Sequence, residues 1–174
     1  RGENKYIQPY LLRDLKITYP NHVWQIDITY IPMKNGFMYM TAIIDVYSRY
    51  IVGWGLSNSL DASESLKVLQ QAVKIHGKPA IMNSDQGSQF TCFEYINYLK
   101  EEDIKISIDG KGRALDNIFI ERFWRTLKYQ YIYLNPKENG LDLYLGIKQW
   151  IEKYHYKNHQ GINNKPQNKY TKAA

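Results

Sequence analysis

The chain of 174 residues contains one cysteine, Cys92, and no long stretch that is free of charge. A single cysteine excludes an internal disulfide, so a disulfide-stapled secreted scaffold is excluded and a reducing cytoplasm is expected. The longest uncharged run is the eleven residues 50–60, far short of the roughly 20 that a membrane helix needs. The chain also lacks a basic-then-apolar leader, so we expect neither secretion nor a membrane partner.

The charge balance is basic and uneven. The chain has 23 Lys+Arg against 17 Asp+Glu, and its 44% hydrophobic and 23% charged content is typical of one folded domain rather than of disorder. Residues 1–110 hold 11 basic and 12 acidic residues, whereas residues 111–174 hold 12 basic and 5 acidic ones. A basic final third interleaved with Tyr and Trp indicates a polyanionic partner such as nucleic acid, although a solvated surface explains the charge equally well.

The hydrophobic pattern predicts an α/β protein. Alternation over residues 22–33, the turn signal Asn35-Gly36 and the apolar segments 37–46 and 50–56 predict a three-stranded meander. Beyond it, helices are expected to alternate with strands. One helix begins at Asp61, and further helices cover 93–102, 116–133 and 141–156. Strands cover 80–83 and 104–108. Alternation of this kind implies crossover connections and parallel pairing. We divide the chain into a lead-in segment (1–20), a core (21–157) and an irregular basic and polar tail (158–174).

Three acidic residues lie where solvent exposure is not their only explanation. Asp27 falls in the middle of the first predicted strand, and Asp85 follows the fourth, where open α/β sheets bind ligands. Glu121 lies on the long predicted helix at the border of its apolar stripe. If the first and fourth strands are neighbours, Asp27 and Asp85 lie about one strand spacing (~4.8 Å) apart, and a helix packed across that edge brings Glu121 to the same point.

Converging carboxylates repel each other unless a cation lies between them. Hard oxygen ligands suit Mg²⁺, and two such ions ~4 Å apart can activate a nucleophile and stabilise the leaving oxygen of a phosphodiester. Arg125 and Lys128 follow Glu121 by four and seven residues on the same side of the helix, where they can hold DNA phosphates. The glycine-flanked Lys111 and the nearby Arg113 are further candidates for phosphate contacts.

Each acid also has an explanation that needs no catalysis. Asp27 could lie on a solvent-facing strand surface, Asp85 could belong to an Asp-Gln-Gly turn, and Glu121 could pair with Arg125 at i,i+4. These alternatives stay open on the residues alone, and the joint placement of the three acids is what favours a site.

Other polar residues have simpler explanations. His155 and His159, four residues apart, could bind zinc, but no Cys pair or HExxH motif accompanies them, so capping, stacking or a phosphate contact is favoured. Asp45 begins a turn and needs no catalytic role. Cys92 is expected to be a half-buried structural thiol.

The contexts of the three acids resemble the Asp-Asp-Glu core of integrases. Asp27 lies in Trp-Gln-Ile-Asp-Ile-Thr-Tyr-Ile (24–31), Asp85 lies in Asn-Ser-Asp-Gln-Gly-Ser-Gln-Phe (83–90), and 35 residues separate Asp85 from Glu121. Further matches are Asp116, Asn117, Lys128, the segment 42–54 and the late pattern Tyr154, His159 and Pro166. The resemblance covers about residues 20–170 and is to the transposases of bacterial insertion sequences, whose cores are similar to retroviral integrases.

The resemblance implies a ribonuclease H-like fold, with a mixed five-stranded sheet flanked by helices. It implies Mg²⁺-dependent cleavage at the ends of a mobile element, followed by attack of the freed 3′-OH on target DNA. Asp27, Asp85 and Glu121 would be the catalytic metal ligands, Mn²⁺ would substitute for Mg²⁺, and two ions would be present with DNA bound. Lys128 would contact DNA near the reacting end, and Asn117, counted with the DNA-contacting residues, would support the helix that carries Glu121.

The partners implied are DNA, as element ends and as target, and further copies of the chain in a homodimer or higher multimer on DNA. The family carries an N-terminal helix-turn-helix region, for which the residues before Asn21 are too few, and the chain opens with Arg1 rather than Met. We therefore expect a fragment whose DNA-recognition region belongs to a missing part or to a partner protein. A bacterial, nucleoid-associated location in the cytoplasm is expected.

Two rival functions share these residues. A purely hydrolytic nuclease on the same fold would use water alone as the nucleophile, and never a DNA 3′-OH. A DNA-binding module that has lost catalysis would bind no metal, which the intact set of three acids argues against.

Overall fold

Five strands form one mixed sheet in the computed structural model, which describes residues 8–110 and 117–171. The strands are β1 (Val23–Pro32), β2 (Phe37–Asp45), β3 (Ile51–Ser57), β4 (Ile81–Ser84) and β5 (Lys105–Ile108). Their order is β3-β2-β1-β4-β5, with antiparallel pairing from β1 to β3 and parallel pairing of β4 with both β1 and β5. The predicted meander and the parallel crossovers are confirmed.

Helices cover both faces of this sheet. They are α1 (Ala62–His76), α2 (Ser88–Thr91), α3 (Phe93–Glu101), α4 (Ile118–Leu127), α5 (Gly140–Tyr156) and α6 (Pro166–Thr171), with a π-helical turn at Lys128–Ile132 directly after α4. Among the described residues, no helix is long and apolar enough to cross a membrane.

The side chains of β1 divide between the two faces of the sheet because successive residues of a strand point to opposite sides. Trp24 and Ile26 are fully buried in the cluster that α1 and α3 cover. Ile31 belongs to the cluster on the opposite face, under α4 and α5. The odd-numbered positions of β1, Asp27 among them, therefore face α4.

The hairpin turn differs from the prediction by one position. Pro32 pairs with Phe37, and the Met33 N–H donates to the Gly36 carbonyl at 3.0 Å, so the turn is centred on residues 34 and 35 rather than on Asn35-Gly36. Gly36 follows the turn with φ 87°, the left-handed conformation that glycine adopts without steric cost.

The predicted helix 116–133 is not uniformly α-helical. Asp116, its expected N-cap, lies outside the described residues, and Asn117 occupies the N-cap position of α4. Leu127 and Ile132 are both buried in the same cluster although they are five residues apart. In an α-helix that spacing separates two side chains by about 140°, whereas the i→i+5 bonding of a π turn brings them to one side.

The tail is more ordered than predicted. Pro166 begins α6, consistent with the preference of proline for the first helical position. The Tyr170 ring stacks on Tyr50 with centroids 4.7 Å apart, and its hydroxyl donates to Asn21 Oδ1 at 2.8 Å. The expectation of an irregular tail is therefore wrong for residues 166–171, because an aromatic contact with the core stabilises a helix that composition alone does not favour.

Candidate active site

Asp27 on β1 and Asp85 just past the end of β4 occupy equivalent positions relative to the parallel pairing of these two strands. The last aligned pair of β1 and β4 is Gln25 with Asn83, and each acid comes two residues after its member of that pair. The neighbouring placement that the sequence analysis required of these strands is confirmed. Asp85 directly follows β4, which ends at Ser84, so β1 continues past Asp27 without a partner on that side.

The third acid, Glu121, lies on the first turn of α4 and is exposed. Two hydrogen bonds fix α4 against β1. The Ile120 N–H donates to Gln25 Oε1 at 3.3 Å, and the Trp124 indole N–H donates to Asp27 Oδ2 at 3.1 Å. Because Glu121 lies between these anchors on the helix, its backbone position is fixed relative to Asp27.

The electrostatics of Asp27 connect all three acids. Burial is the main cause that raises its pKa to about 6, and the negative charges of Asp85 and Glu121 raise it further. Hydrogen bonds from the Ile28 backbone and the Trp124 side chain oppose this rise. The pKa of Asp27 is therefore raised by both other carboxylates, one from the end of β4 and one from α4.

Asp85 also has a local structural role. Its Oδ1 accepts the Gly87 N–H at 2.8 Å, which forms the turn that the sequence offered as an alternative explanation. A Cβ atom on residue 87 would lie 2.8 Å from the same oxygen, so a larger residue there would displace the Asp85 carboxylate. The turn orients the Asp85 carboxylate and leaves its second oxygen available for other ligands.

The donor set of these acids suits a hard divalent cation, because carboxylate oxygens are the ligands that Mg²⁺ prefers. The mutual repulsion felt at Asp27 is the kind of interaction that a bound cation relieves. Within residues 8–110 and 117–171, no group of three or more His, Cys, Asp or Glu side chains is arranged to hold an ion in the conformation seen. A shared metal site thus stays a prediction.

Lys128, one of the expected DNA contacts, folds back onto β1. Its Nζ donates to Thr29 Oγ1 at 2.6 Å and lies 4.9 Å from the Tyr30 ring centroid. Burial lowers the pKa of Lys128, and the negative charge of Asp27 counteracts this effect. The ammonium group is therefore close enough to Asp27 to interact with it electrostatically.

Two other expected DNA contacts, Arg125 and Asn117, lie on the outer face and at the start of α4. Arg125 is exposed, with its guanidinium carbon 6.0 Å from the Tyr129 ring centroid. Asn117 is buried, and its Oδ1 has no hydrogen-bond partner among the described residues, while its carbonyl accepts the Glu121 N–H at 3.3 Å. Its position agrees with a supporting role for the Glu121 helix. Lys111 and Arg113 lie outside the described residues.

Two residues of the site were missed from the sequence. Neither Trp124 nor Gln25, which contact Asp27 and the start of α4 respectively, is assigned a role in the site from the sequence. The signal that could have found Trp124 is chemical, since a buried indole N–H requires an acceptor and Asp27 is the acid on the facing strand.

The remaining polar candidates have structural roles. His155 Nε2 accepts the Ile51 N–H at 3.0 Å, and its ring stacks on Tyr50 at 3.8 Å, while His159 Nε2 lies 3.0 Å from the Tyr154 carbonyl oxygen. Their expected capping and stacking roles are confirmed.

The expectations for Asp45 and Cys92 are also borne out. Asp45 is fully buried, and its carboxylate accepts hydrogen bonds from both the backbone and the hydroxyl of Ser48, which confirms its role in the turn. Cys92 is half-buried, and its thiol contacts the Gln89 carbonyl at 3.6 Å.

Known proteins match nearly all of the described fold. A family model described as an integrase core domain matches residues 18–114, and a second integrase core domain model matches residues 102–166.

The similar sequences are transposases. The transposase of insertion sequence element IS904 from Lactococcus lactis is 38% identical over 151 residues, which cover 85% of this chain and 60% of that protein. The putative transposase InsK of element IS150 from Escherichia coli is 35% identical, with coverage of 88% and 56%. A transposase-like protein from Haemophilus influenzae is 34% identical over 167 residues, or 95% of this chain and 76% of that protein.

The similar structures are retroviral. The HTLV-2 integrase catalytic core domain in complex with magnesium superposes with a TM-score of 0.70 at 20% identity, covering 87% of this chain and 97% of that one. A chain of the simian T-cell lymphotropic virus intasome gives a TM-score of 0.74 at 22% identity, with coverage of 88% and 55%. The expected ribonuclease H-like fold, with its mixed sheet flanked by helices, is thereby confirmed.

Proposed function

The chain belongs to the integrase core family, together with the transposases of bacterial insertion sequences, and from this we propose that it carries out metal-dependent transposition chemistry on DNA. The reaction would cleave DNA at the ends of a mobile element and join the freed 3′-OH to target DNA. The chain spans about 60% of the IS904 transposase and 56% of the IS150 protein, so the activity of the whole protein is part of the proposal.

The observation that supports this proposal is the placement of the three acids, with Asp27 on β1, Asp85 two residues past the aligned pair of Gln25 and Asn83, and Glu121 on the helix that two hydrogen bonds fix against β1. The three acids come from β1, from the end of β4 and from α4, and they lie near the point where β1 runs on without β4. These three would be the ligands of Mg²⁺, with Mn²⁺ able to substitute. When bound, divalent ions supply activation of the attacking hydroxyl and stabilisation of the leaving oxygen, two ions being expected with DNA present.

The residues of the chain itself position the substrate and maintain the charge of the site. Asp27 is held by neutral donors, so its negative charge is available to a cation. Arg125 projects from α4 into solvent, where it can bind a DNA phosphate, and Lys128 offers a second cation beside β1. The expected DNA partner thus meets positive charge next to the acids.

The proposed assembly on DNA is a dimer or a higher multimer. The HTLV-2 core domain is described in trimeric and dimeric forms with magnesium, and the simian virus protein as part of an intasome. We extend that behaviour to this chain as part of the proposal.

A strand-transfer assay tests the proposed function. The full-length transposase that contains this core would be incubated with labelled element ends and a target plasmid, with Mg²⁺ or with Mn²⁺. Joined product is expected for the wild type and for Glu152→Gln, which changes an exposed acid on α5, but not for Asp27→Asn.

Each other outcome contradicts strand transfer in a distinct way. Cleavage by water without any joined product would identify a hydrolytic nuclease. Binding of DNA with neither cleavage nor calorimetric binding of metal would identify a module that has lost catalysis.

A further inference from the structure

Trp124 connects the helix that carries Glu121 to the carboxylate of Asp27. The side chain is buried in the cluster under α4 and α5, with 6% of its surface exposed, and its ring lies 5.4 Å from that of Phe123. Its indole N–H is directed toward β1 and donates to Asp27 Oδ2 at 3.1 Å. An indole N–H can only donate, so at a buried position this bond satisfies a group that would otherwise be left unpaired.

Few groups other than the Trp124 indole are placed to orient the Asp27 side chain. On one side β1 pairs with β2, where Asp27 is opposite Ala42, and on the other side β4 has already ended. Lys128 donates to Thr29, and no ion pair involves Asp27 among the residues that the structure describes. The donors that hold its carboxylate, the indole and the Ile28 backbone, are therefore neutral.

A neutral donor has a specific advantage at this position. A lysine or arginine bound to Asp27 would compete with any cation for the same charge, whereas an indole N–H fixes the carboxylate and leaves its charge in place. Hydrogen-bond donors behind ligating groups orient those groups, and their loss weakens metal affinity about 10- to 100-fold.

We propose that Trp124 is a positioning residue, whose indole N–H orients the Asp27 carboxylate toward the region that it shares with Asp85 and Glu121. Trp124 follows Glu121 by three residues, so the two side chains are neighbours on one helix. The same helix therefore supplies one acid and fixes the orientation of another. This inference rests on the proposed function, because it assigns Trp124 to the same metal site.

The decisive variant replaces Trp124 with β-(3-benzothienyl)alanine, which keeps the bicyclic shape but has sulfur where tryptophan has N–H. Calorimetric titration with Mn²⁺ is expected to show about 10- to 100-fold weaker binding for this protein than for the wild type. Its melting temperature, measured without metal, should stay close to that of the wild type because the core remains filled.

A spectroscopic readout tests whether the ion binds next to Trp124. Paramagnetic Mn²⁺ quenches the emission of a nearby indole, so wild-type fluorescence should fall as the metal binds. Trp124→Phe should abolish most of that quenching, whereas Trp54→Phe, which removes a half-buried indole packed on Tyr144 of α5, should preserve it.

The outcomes distinguish the positioning role of Trp124 from the proposed function. Wild-type Mn²⁺ affinity in the benzothienyl protein, or unchanged quenching in Trp124→Phe, would overturn the positioning role, while loss of strand transfer in Asp27→Asn would leave the proposed function standing. Absence of both Mn²⁺ binding and strand transfer in the wild type would overturn the proposed function, and the positioning role with it.

Discussion

Lys128 Nζ donates a 2.6 Å hydrogen bond to Thr29 Oγ1, which places its ammonium group two residues along β1 from Asp27. The cation is thus attached to the strand that carries the acid rather than extended into solvent. A lysine held in this way is positioned before any ligand arrives, so it loses less side-chain entropy when it binds a phosphate.

We expect Lys128→Gln to weaken DNA binding and to reduce its salt dependence. Loss of one phosphate contact should lower the slope of log affinity against log salt by about 0.9 for duplex DNA. Fluorescence anisotropy of a labelled duplex over a series of KCl concentrations measures this slope. Lys148→Gln, an exposed cation on α5, is the matched control, and equal slopes for the two variants would contradict a phosphate contact at Lys128.

Neutralising an acid of the site should slow catalysis severely without unfolding the protein. Asp27→Asn, Asp85→Asn and Glu121→Gln each remove a proposed metal ligand, and the loss of several kcal/mol of charge stabilisation predicts a fall in joining rate of about 100- to 1,000-fold. Rates come from quantified strand-transfer products, and circular dichroism verifies the fold. A variant of Asp27 that retained more than a tenth of the wild-type rate would remove that residue from the metal site.

His155 should make the fold less stable in acid. Burial lowers its pKa to about 3, with the charges of His76 and His159 as smaller causes. Its folded pKa lies below the unfolded value of about 6.5, so its contribution is fully present above pH 6.5 and is lost as pH falls toward 3. At pH 5 the loss amounts to about 2 kcal/mol, since that pH lies about 1.5 units below the unfolded value.

The test compares His155→Gln with the wild type, because glutamine retains an acceptor for the Ile51 N–H but does not titrate. Urea unfolding at pH 7.5 and pH 5 measures the free energy of unfolding. Between these two pH values, this free energy should decrease less for the variant than for the wild type. Buried Asp27 and Asp45 have raised pKa values and titrate with the opposite sign, so the informative quantity is the difference between the two proteins at each pH. If the difference in stability between the two proteins were the same at pH 7.5 and pH 5, His155 would bind its proton as readily in the folded state as in the unfolded one.

Gly53 should tolerate no side chain. A Cβ atom there would lie 2.9 Å from the Ala72 Cβ and 3.4 Å from the Val68 carbonyl oxygen, where α1 packs on β3. Overpacking of this kind predicts a loss of about 1–3 kcal/mol in the free energy of unfolding for Gly53→Ala. Gly161→Ala, which meets no atom within 4 Å, is the control and should change stability by less than about 0.5 kcal/mol. Equal stabilities of the two variants by urea unfolding would contradict the close approach.

Most of the sheet could be predicted because its strands carry a period-two pattern. The alternation of β1 assigned Trp24 and Ile26 to one face and Asp27 to the other, and the structure buries the two apolar residues as expected. Parallel pairing was expected of the crossover strands, but the placement of β1 beside β4 was only a condition, and this pairing is what aligns Asp27 with Asp85.

The features that could not be predicted depend on contacts distant in sequence. The π turn brings Ile132 to the cluster that contains Leu127. Packing of the core favours this turn, and the local sequence pattern does not predict it. The direction of the Trp124 indole depends on how α4 crosses β1. Likewise α6 is stabilised by Tyr170 against Tyr50, so a segment rich in Asn, Lys and Gln becomes helical for reasons outside itself.

The bond from the Tyr170 hydroxyl to Asn21 Oδ1 has a consequence for the order in which the protein folds. It joins residues 149 positions apart, and the entropy cost of closing so long a loop is recovered only after the intervening sheet has formed. We therefore expect α6 to dock last during folding and to detach first during unfolding. Native-state hydrogen exchange should show the amide protons of α6 exchanging well before those of β1, which is locked between two neighbouring strands along its first half.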